Sequence, residues 1–336
     1  MRNILCVTLI ALLGGCTSTS VTEKYQDKRN DIINVKDKVI EFETGNVLIG
    51  SVSRLYMSNK CLLIADHKSV DKQIHIFNKN DFSYLTSIGN FGEGPEEITV
   101  MGCLAIDEAH HQLYVSDHAK QKIFSYDMDS VMVDSLYKPQ VKTAMNETLF
   151  PSEYQYINDT LSIAVLIKPT STSTFNQFLG RWNMNTGEMI PMKYTHPDIQ
   201  KKRITFAASE KAGIYVECYT RHDLMTICSL DGELLYNIYG PDWDGGNGNK
   251  LQSFGTVMIG NDKIFVSYCG EDYARDSFPT KILVFDLEGN YLKTLETGYK
   301  ISDCCYDSFN NRIILSLNDV VQFAYLDICL LYTSDA

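Results

Sequence analysis

The chain has 336 residues, a formal net charge of -12, 44% hydrophobic residues and 21% charged residues. This composition is typical of a folded globular chain that buries one sizeable core, and the acidic balance argues against nucleic acid as a partner. The sequence contains no G-x-S-x-G or H-E-x-x-H motif, so it indicates no catalytic residue, metal or cofactor.

The first fifteen residues have the pattern of a bacterial lipoprotein signal peptide. An apolar run over residues 4–13 follows a short charged start and is too short to span a bilayer, and two glycines precede Cys16. Cleavage would leave Cys16 as a lipidated first residue, and several acyl chains suffice for stable anchoring. The sequence therefore predicts a membrane-anchored protein of the bacterial cell envelope, with the periplasmic or surface side left open. The alternative is a buried N-terminal helix.

Residues 16–36 are polar and rich in Ser, Thr, Lys, Asp and Asn. Such a stretch buries too little apolar surface to offset the entropy of ordering, so we expect a flexible tether.

From residue 37 onward the chain repeats a four-strand unit. The clearest copy comprises Leu104 to Asp107, Gln112 to Asp117, Lys122 to Asp127 and Val131 to Tyr137. Alternating apolar positions and regular turn residues indicate an antiparallel meander, and six such units can be counted. A period of about 40–50 residues with four strands per unit is typical of propeller blades. The prediction is an all-β, six-bladed β-propeller of four-stranded antiparallel blades over residues 37–328.

The ring needs a closing strand, because the sixth unit has only three. We expect Lys38 to Phe42 to supply the outer strand, since joining the two termini in one blade pairs two open edges. Residues 329–336 do not continue the pattern and resemble translated adapter sequence, so they form a tail that is foreign to the repeat.

One stretch carries a family resemblance. Ser87 to Pro95, with its three glycines, is followed by Leu104-Ala-Ile-Asp107, Leu113-Tyr-Val-Ser-Asp117 and Ile123-Phe-Ser-Tyr-Asp127. This stretch resembles an NHL-type repeat, and the whole chain resembles the TolB-like and NHL-like six-bladed propeller lipoproteins. The resemblance implies a six-bladed ring and an envelope location, and it offers no catalytic residue to carry over.

Eight cysteines remain after Cys6 and Cys16, and none forms a C-x-x-C pair. Most stand in apolar strand-like runs, where a free thiol behaves as a small buried hydrophobic group. Buried thiols are the favoured interpretation, with a disulfide or a metal site as alternatives.

A meander places the loop between the second and third strands of each blade on the same face as the crossover to the next blade, and we call this face the loop face. Rigid scaffolds commonly carry binding residues on such loops. The predicted binding residues are Asp66, His67, Glu93, Glu96, Asp117, His118, His222, Asp242, Trp243 and Asp244.

Each candidate has a structural alternative. Asp66 and Asp117 end strands and could bond nearby backbone amides, while Trp243 could offer a platform for a sugar or peptide or could pack beneath its loop. His67 and His118 could approach one another as metal ligands, although no third ligand is indicated.

The sequence thus favours a lipid-anchored, monomeric and non-catalytic binding or interaction module for an envelope protein, a peptide or a glycan. The leading alternative is a propeller enzyme, either a lyase or a metal-assisted hydrolase, with polar groups converging at the central channel, and a purely structural accessory subunit is a third interpretation.

Overall fold

The alternating apolar segments form β-strands in a computed structural model that describes residues 22–134, 136–247, 251–275 and 277–329. Cys16, residues 1–21 and residues 330–336 lie outside the described residues. Three short strands come first in the chain: β1 (Glu23–Tyr25), β2 (Ile32–Asn34) and β3 (Val39–Glu41).

Five complete meanders follow, and each forms one blade whose strands run in order from the centre to the rim. Blade 1 contains β4 (Ser53–Met57), β5 (Cys61–Asp66), β6 (Lys72–Asn78) and β7 (Tyr84–Asn90). Blade 2 contains β8 (Met101–Asp107), β9 (Gln112–Asp117), β10 (Lys122–Asp127) and β11 (Gln140–Ala144). Blade 3 contains β12 (Phe150–Asn158), β13 (Leu161–Pro169), β14 (Phe175–Trp182) and β15 (Met189–Pro191).

The second half of the chain repeats this arrangement. Blade 4 contains β16 (Ile204–Ser209), β17 (Ile214–Tyr219), β18 (Leu224–Ser229) and β19 (Leu234–Tyr239). Blade 5 contains β20 (Leu251–Gly260), β21 (Lys263–Asp272), β22 (Lys281–Asp286) and β23 (Tyr291–Glu296). Blade 6 combines β24 (Ile301–Asp307), β25 (Arg312–Leu317) and β26 (Phe323–Asp327) with β3.

The hydrophobic core is divided among the spaces between blades. Six clusters of buried side chains occur in the described part of the chain, and each joins two neighbouring blades. Ile74 of blade 1, for example, shares a cluster with Leu113 of blade 2. Because both faces of each sheet are covered, the middle strands are continuous apolar runs such as Leu62-Leu-Ile-Ala65. The six-bladed all-β fold predicted from the repeats is confirmed.

Ring closure by the N-terminal strand is also confirmed. β3 pairs antiparallel with β26, with Ile40 opposite Tyr325. Phe42 follows β3 and stacks on Phe82 with the ring centroids 3.8 Å apart, which fastens blade 6 to blade 1.

The sequence predicts a flexible tether over residues 16–36, but residues 22–36 form ordered structure that includes two paired strands. There β1 adds parallel to β19 at the rim of blade 4, and β2 adds parallel to β23 at the rim of blade 5. Tyr25 stacks on Tyr239 at 4.5 Å, and Arg29 forms an ion pair with Asp223. A polar segment can be ordered this way because strand edges offer unpaired backbone groups, which composition does not show.

The fourth strand predicted for the second unit is wrong. That strand was predicted over Val131 to Tyr137, but its first three residues end helix α1 (Met128–Val133), and the outer strand of blade 2 is β11, which begins at Gln140. The Asp127 side chain accepts a hydrogen bond from the backbone N–H of Ser130 and caps the helix, so the chain leaves the sheet at this point.

Two short 3-10 helices complete the described elements, at Lys36–Lys38 and Tyr273–Arg275. None of the helices in the described ranges has the length and apolar character needed to cross a membrane.

The cysteines follow the favoured prediction. Seven are buried free thiols, and the described Cys329 is exposed. Burial raises the pKa of Cys103 to about 12, so this thiol stays protonated at neutral pH.

Candidate functional site

The innermost strands of the six blades surround a central channel with a volume of about 750 Å³. Every blade contributes to its wall, as a closed propeller requires. Polar groups in the lining include Arg54, Glu153, Gln252, Ser302 and Asp303.

A half-exposed ion pair crosses this channel. Arg54 on β4 of blade 1 contacts Glu153 on β12 of blade 3, with Nη2 and Oε1 2.8 Å apart. Their side chains are 42% and 38% exposed, so solvent within the channel reaches both charges. Burial disfavours the charge on Arg54, but Glu153, Tyr56 and Asp303 more than offset this effect and keep its pKa above the ordinary value. Both groups are therefore accessible to a ligand that enters the channel.

Asp303 lies deeper in the same wall. Its Oδ2 accepts a hydrogen bond from the backbone N–H of Leu55 at 2.8 Å, and its Oδ1 accepts one from the Thr256 hydroxyl at 2.7 Å. Burial raises the pKa of the Asp303 carboxyl, although Arg54 and these hydrogen bonds act in the opposite direction. Asp303 thus joins blades 5, 6 and 1 around the channel.

Two of the predicted loop-face residues, His67 and His118, are electrostatically coupled to this ion pair. Burial lowers the pKa of both imidazoles; the charge of Arg54 lowers that of His67 further, whereas Glu153 opposes the shift at His118. Gly102 lets the His118 ring approach its strand, because a Cβ there would lie 2.5 Å from Nε2. Both imidazoles are thus mostly neutral at pH 7.

Their neighbours Asp66 and Asp117 are structural in this fold. The side chains of Asp66 and Asp117 are almost fully buried, and Asp66 accepts hydrogen bonds from the backbone N–H groups of Gly50 and Lys68. Asp117 accepts four backbone hydrogen bonds, from residues 99, 100, 119 and 120. These carboxylates bond the crossover to the second loop, in agreement with the alternative that the sequence left open.

Glu93 and Glu96 lie in the crossover between blades 1 and 2. Glu93 is exposed, and Glu96 forms an ion pair with Lys138 at 2.7 Å. The neighbouring Glu97 accepts a hydrogen bond from the N–H of Gly94, so the glycine-rich loop is a turn stabilised by its own carboxylate.

Trp243 belongs to a second region, at the rim of blade 4. It is half-buried, and its ring centroid lies 5.0 Å from that of Tyr239, 5.7 Å from His196 and 6.0 Å from His222. Its position therefore matches packing beneath the loop more closely than a free platform.

The acidic residues beside Trp243 are also engaged in local contacts. Asp244 approaches His222 at 3.8 Å, and Asp242 accepts a hydrogen bond from Tyr268 at 3.3 Å. Burial lowers the pKa of His222.

The structure divides the predicted binding residues into two groups. Those of blades 1 and 2 lie on one part of the ring, and His222, Asp242, Trp243 and Asp244 lie on another. Arg54, Glu153 and Asp303 are not among the binding residues predicted from the sequence. The sequence did contain a signal for these residues. Each is a charged residue inside the first strand of a blade, and the first strands line the central channel.

Comparisons with known proteins agree with the observed architecture. Residues 17–176 match the DUF5128 family, described as a 6-bladed beta-propeller. A search of the curated proteins gave no significant sequence match.

Solved structures give a similar result over most of the chain. A protein of Bacteroides fragilis inferred to be exported is 14% identical, with a TM-score of 0.56 over 88% of this chain and 87% of its own. A member of the duf4221 family from Bacteroides vulgatus is 11% identical, with a TM-score of 0.57 over 89% and 98%. The Cps50 (Swd1) β-propeller domain of Myceliophteria thermophila is 10% identical, with a TM-score of 0.53 over 84% and 98%. At these identities the likeness concerns the fold alone, and the chain is a six-bladed β-propeller.

Proposed function

We propose that the protein is a lipid-anchored envelope protein that binds a peptide segment in its central channel. The observation that carries this proposal is the solvent-accessible Arg54–Glu153 pair, whose two charges face a channel of about 750 Å³. An exposed ion pair contributes little to stability, so its partners can be exchanged at small cost.

The chemistry of the pair favours a peptide over other ligands. A carboxylate can replace Glu153 on the Arg54 guanidinium, and an ammonium can replace Arg54 on Glu153. Free peptides carry both groups at their ends. Gln252 and Ser302 add polar groups to the same wall, and Phe206 and Phe278 add apolar surface. A glycan remains the second ligand class, since the same polar groups can bond to hydroxyls.

The arrangement of acids favours binding over catalysis. Asp303 already accepts hydrogen bonds from Leu55 and Thr256, and Glu153 is paired with Arg54. The Asp303 carboxylate therefore joins blades 5, 6 and 1, and the Glu153 carboxylate is paired with a guanidinium that a ligand can displace.

The envelope location rests on the signal-like segment before Cys16 and is consistent with the inferred export of one structural relative. The described chain begins at Thr22, six residues after Cys16, and an extended chain of that length spans at most about 21 Å. A lipid on Cys16 would therefore hold the rim of blade 4 close to the membrane. The family relationship to TolB-like and NHL-like lipoproteins belongs to this same proposal.

The anchor can be tested separately from the binding site. Cys16→Ser should move the protein from the membrane pellet to the soluble fraction after a carbonate wash, because the lipid can no longer be attached. Continued pelleting of the variant would contradict lipid anchoring.

Peptide binding can be tested by affinity selection and mass spectrometry on the detergent-solubilised full chain. The probes are a library of hexapeptides with free termini, the same library with acetylated and amidated termini, and a glycan array. We expect enrichment from the free-termini library and its loss in Glu153→Gln. Enrichment of glycans alone would support the second ligand class, and no enrichment from any probe would contradict binding in the channel.

A further inference from the structure

Blades 2 and 6 carry the same turn between their first and second strands. Asp107 and Asp307 end the first strand, and His111 and Asn311 occupy the left-handed position, with φ of 53° and 51°. The turn lies on the face opposite the loop face. The two sequences, Asp107 to Gln112 and Asp307 to Arg312, therefore align residue by residue.

In blade 6 the buried aspartate is neutralised. Asp307 accepts a hydrogen bond from the Asn310 amide at 2.7 Å, and it pairs with Arg312 at 3.2 Å and with Lys79 of blade 1 at 3.4 Å. Burial alone would raise the pKa of Asp307, but Asn310 and these two cations outweigh it and lower the pKa. Two positive charges thus balance one carboxylate.

In blade 2 the same positions carry different chemistry. Gln112 replaces Arg312, His110 replaces Asn310, and the next blade contributes Asp159. Nδ1 of His110 lies 2.9 Å from Oδ2 of Asp107 and 3.8 Å from Oδ1 of Asp159. The buried Asp107 thus faces a second carboxylate and an imidazole in place of two fixed cations.

We propose that Asp107, His110 and Asp159 bind a divalent transition-metal ion, with zinc as the best match, between blades 2 and 3. One ligand atom from each residue lies within 4.8 Å of the other two. A tetrahedral zinc ion with bonds of about 2.0–2.2 Å needs its ligand atoms roughly 3.3 Å apart, and the separations above lie on both sides of this value. Since two ligands are exposed, water can complete the coordination.

The surroundings of the three residues support a metal ion. The Tyr114 hydroxyl donates to Asp107 at 3.1 Å, and the Tyr156 hydroxyl donates to Asp159 at 2.7 Å. Hydrogen bonds of this kind orient metal-binding carboxylates. Lys142 should weaken metal binding, because its ammonium adds positive charge near His110. This ammonium lies 5.5 Å from the centroid of the Tyr114 ring.

The site is independent of the channel and can be tested with zinc alone. Isothermal titration calorimetry would be performed on the detergent-solubilised full chain carrying Cys329→Ser, because the exposed Cys329 thiol is a competing zinc ligand. His110→Asn installs the residue that blade 6 uses in the same turn. His111→Asn is the matched control, since Asn tolerates the left-handed backbone at this position.

We expect one zinc ion per chain, at least about tenfold weaker binding in His110→Asn, and unchanged binding in His111→Asn. Lys142→Met should bind zinc more tightly than the parent. Saturating zinc should also raise the melting temperature of the parent, but not that of His110→Asn. Equal zinc affinity in His110→Asn and the parent, or no binding to the parent at millimolar zinc, would overturn the proposal.

Discussion

Two arginine–carboxylate pairs of almost equal length have different roles in this propeller. At the rim, Arg29 and Asp223 are 2.7 Å apart with side chains 7% and 0% exposed; in the channel, Arg54 and Glu153 are 2.8 Å apart and more than a third exposed. Distance alone does not separate them. Burial does, because breaking a buried pair leaves an uncompensated charge, whereas an exposed pair can exchange its partner for water or for a ligand.

The rim pair is part of a larger N-terminal structure. Residues 22–41 add β1 to blade 4, β2 to blade 5 and β3 to blade 6. Arg29 also lies over the rings of Phe254, Tyr268 and Phe285, each within 6 Å of its guanidinium carbon. Buried contacts therefore hold the N-terminal segment at the rim, whereas the charges of the Arg54–Glu153 pair are accessible to solvent in the channel.

The largest effect is expected from deletion of residues 38–42. The deletion removes β3 and Phe42, and loss of a buried phenylalanine alone costs about 3–5 kcal/mol. Because each kcal/mol shifts the melting temperature by about 2–4 °C, we expect a decrease of at least about 10 °C by differential scanning calorimetry. Ile40→Ala, at a half-exposed position of the same strand, is the control and should change little. An unchanged melting temperature in the deletion variant would place ring closure elsewhere.

Arg29→Met should have the next largest effect. It leaves Asp223 buried and unpaired, which costs about 3–5 kcal/mol of unfolding free energy in urea titrations. Arg181→Met, which breaks the exposed pair with Asp231, is the matched control and should cost less than about 1 kcal/mol. Equal losses in the two variants would remove the distinction between buried and exposed pairs.

Trp243→Ala should be milder. Its ring is half-buried among three others, so the loss should be about 1–2 kcal/mol, below the 3–5 kcal/mol that is typical of a fully buried aromatic residue. Binding of the channel peptide should be unchanged, because Trp243 lies at the rim of blade 4. A peptide affinity that falls in Trp243→Ala would extend the binding site to this crossover.

The six-bladed architecture could be predicted from the sequence, because the four-strand unit is repeated along the chain. Alternation along strands and the glycine turns at residues 187, 232 and 289, all with positive φ, occur where the meander needs them. The belt of residues 22–36 was not predictable in the same way. This segment is ordered by the edge of β19 and by the ion pair between Arg29 and Asp223. Both contacts involve residues far away in the sequence, so the composition of the segment does not reveal them.

The candidate sites could be predicted only in part. The sequence placed His67 and His118 on the loop face, but the ion pair beside them joins residues 54 and 153, two blades apart. Only the curvature of the closed ring brings them together. Asp159 was not predictable as a neighbour of Asp107 and His110 for the same reason, because it belongs to the next blade.

Glu153→Gln should have the smallest effect on stability, less than about 1 kcal/mol, and it tests directly whether the channel pair binds the ligand. The measurement is the affinity of the detergent-solubilised variant for a peptide enriched by the parent protein, alongside its urea midpoint. We expect binding at least about tenfold weaker, or 1.4 kcal/mol, with an unchanged midpoint. An unchanged affinity would contradict the central claim that the Arg54–Glu153 pair is where the propeller binds its ligand.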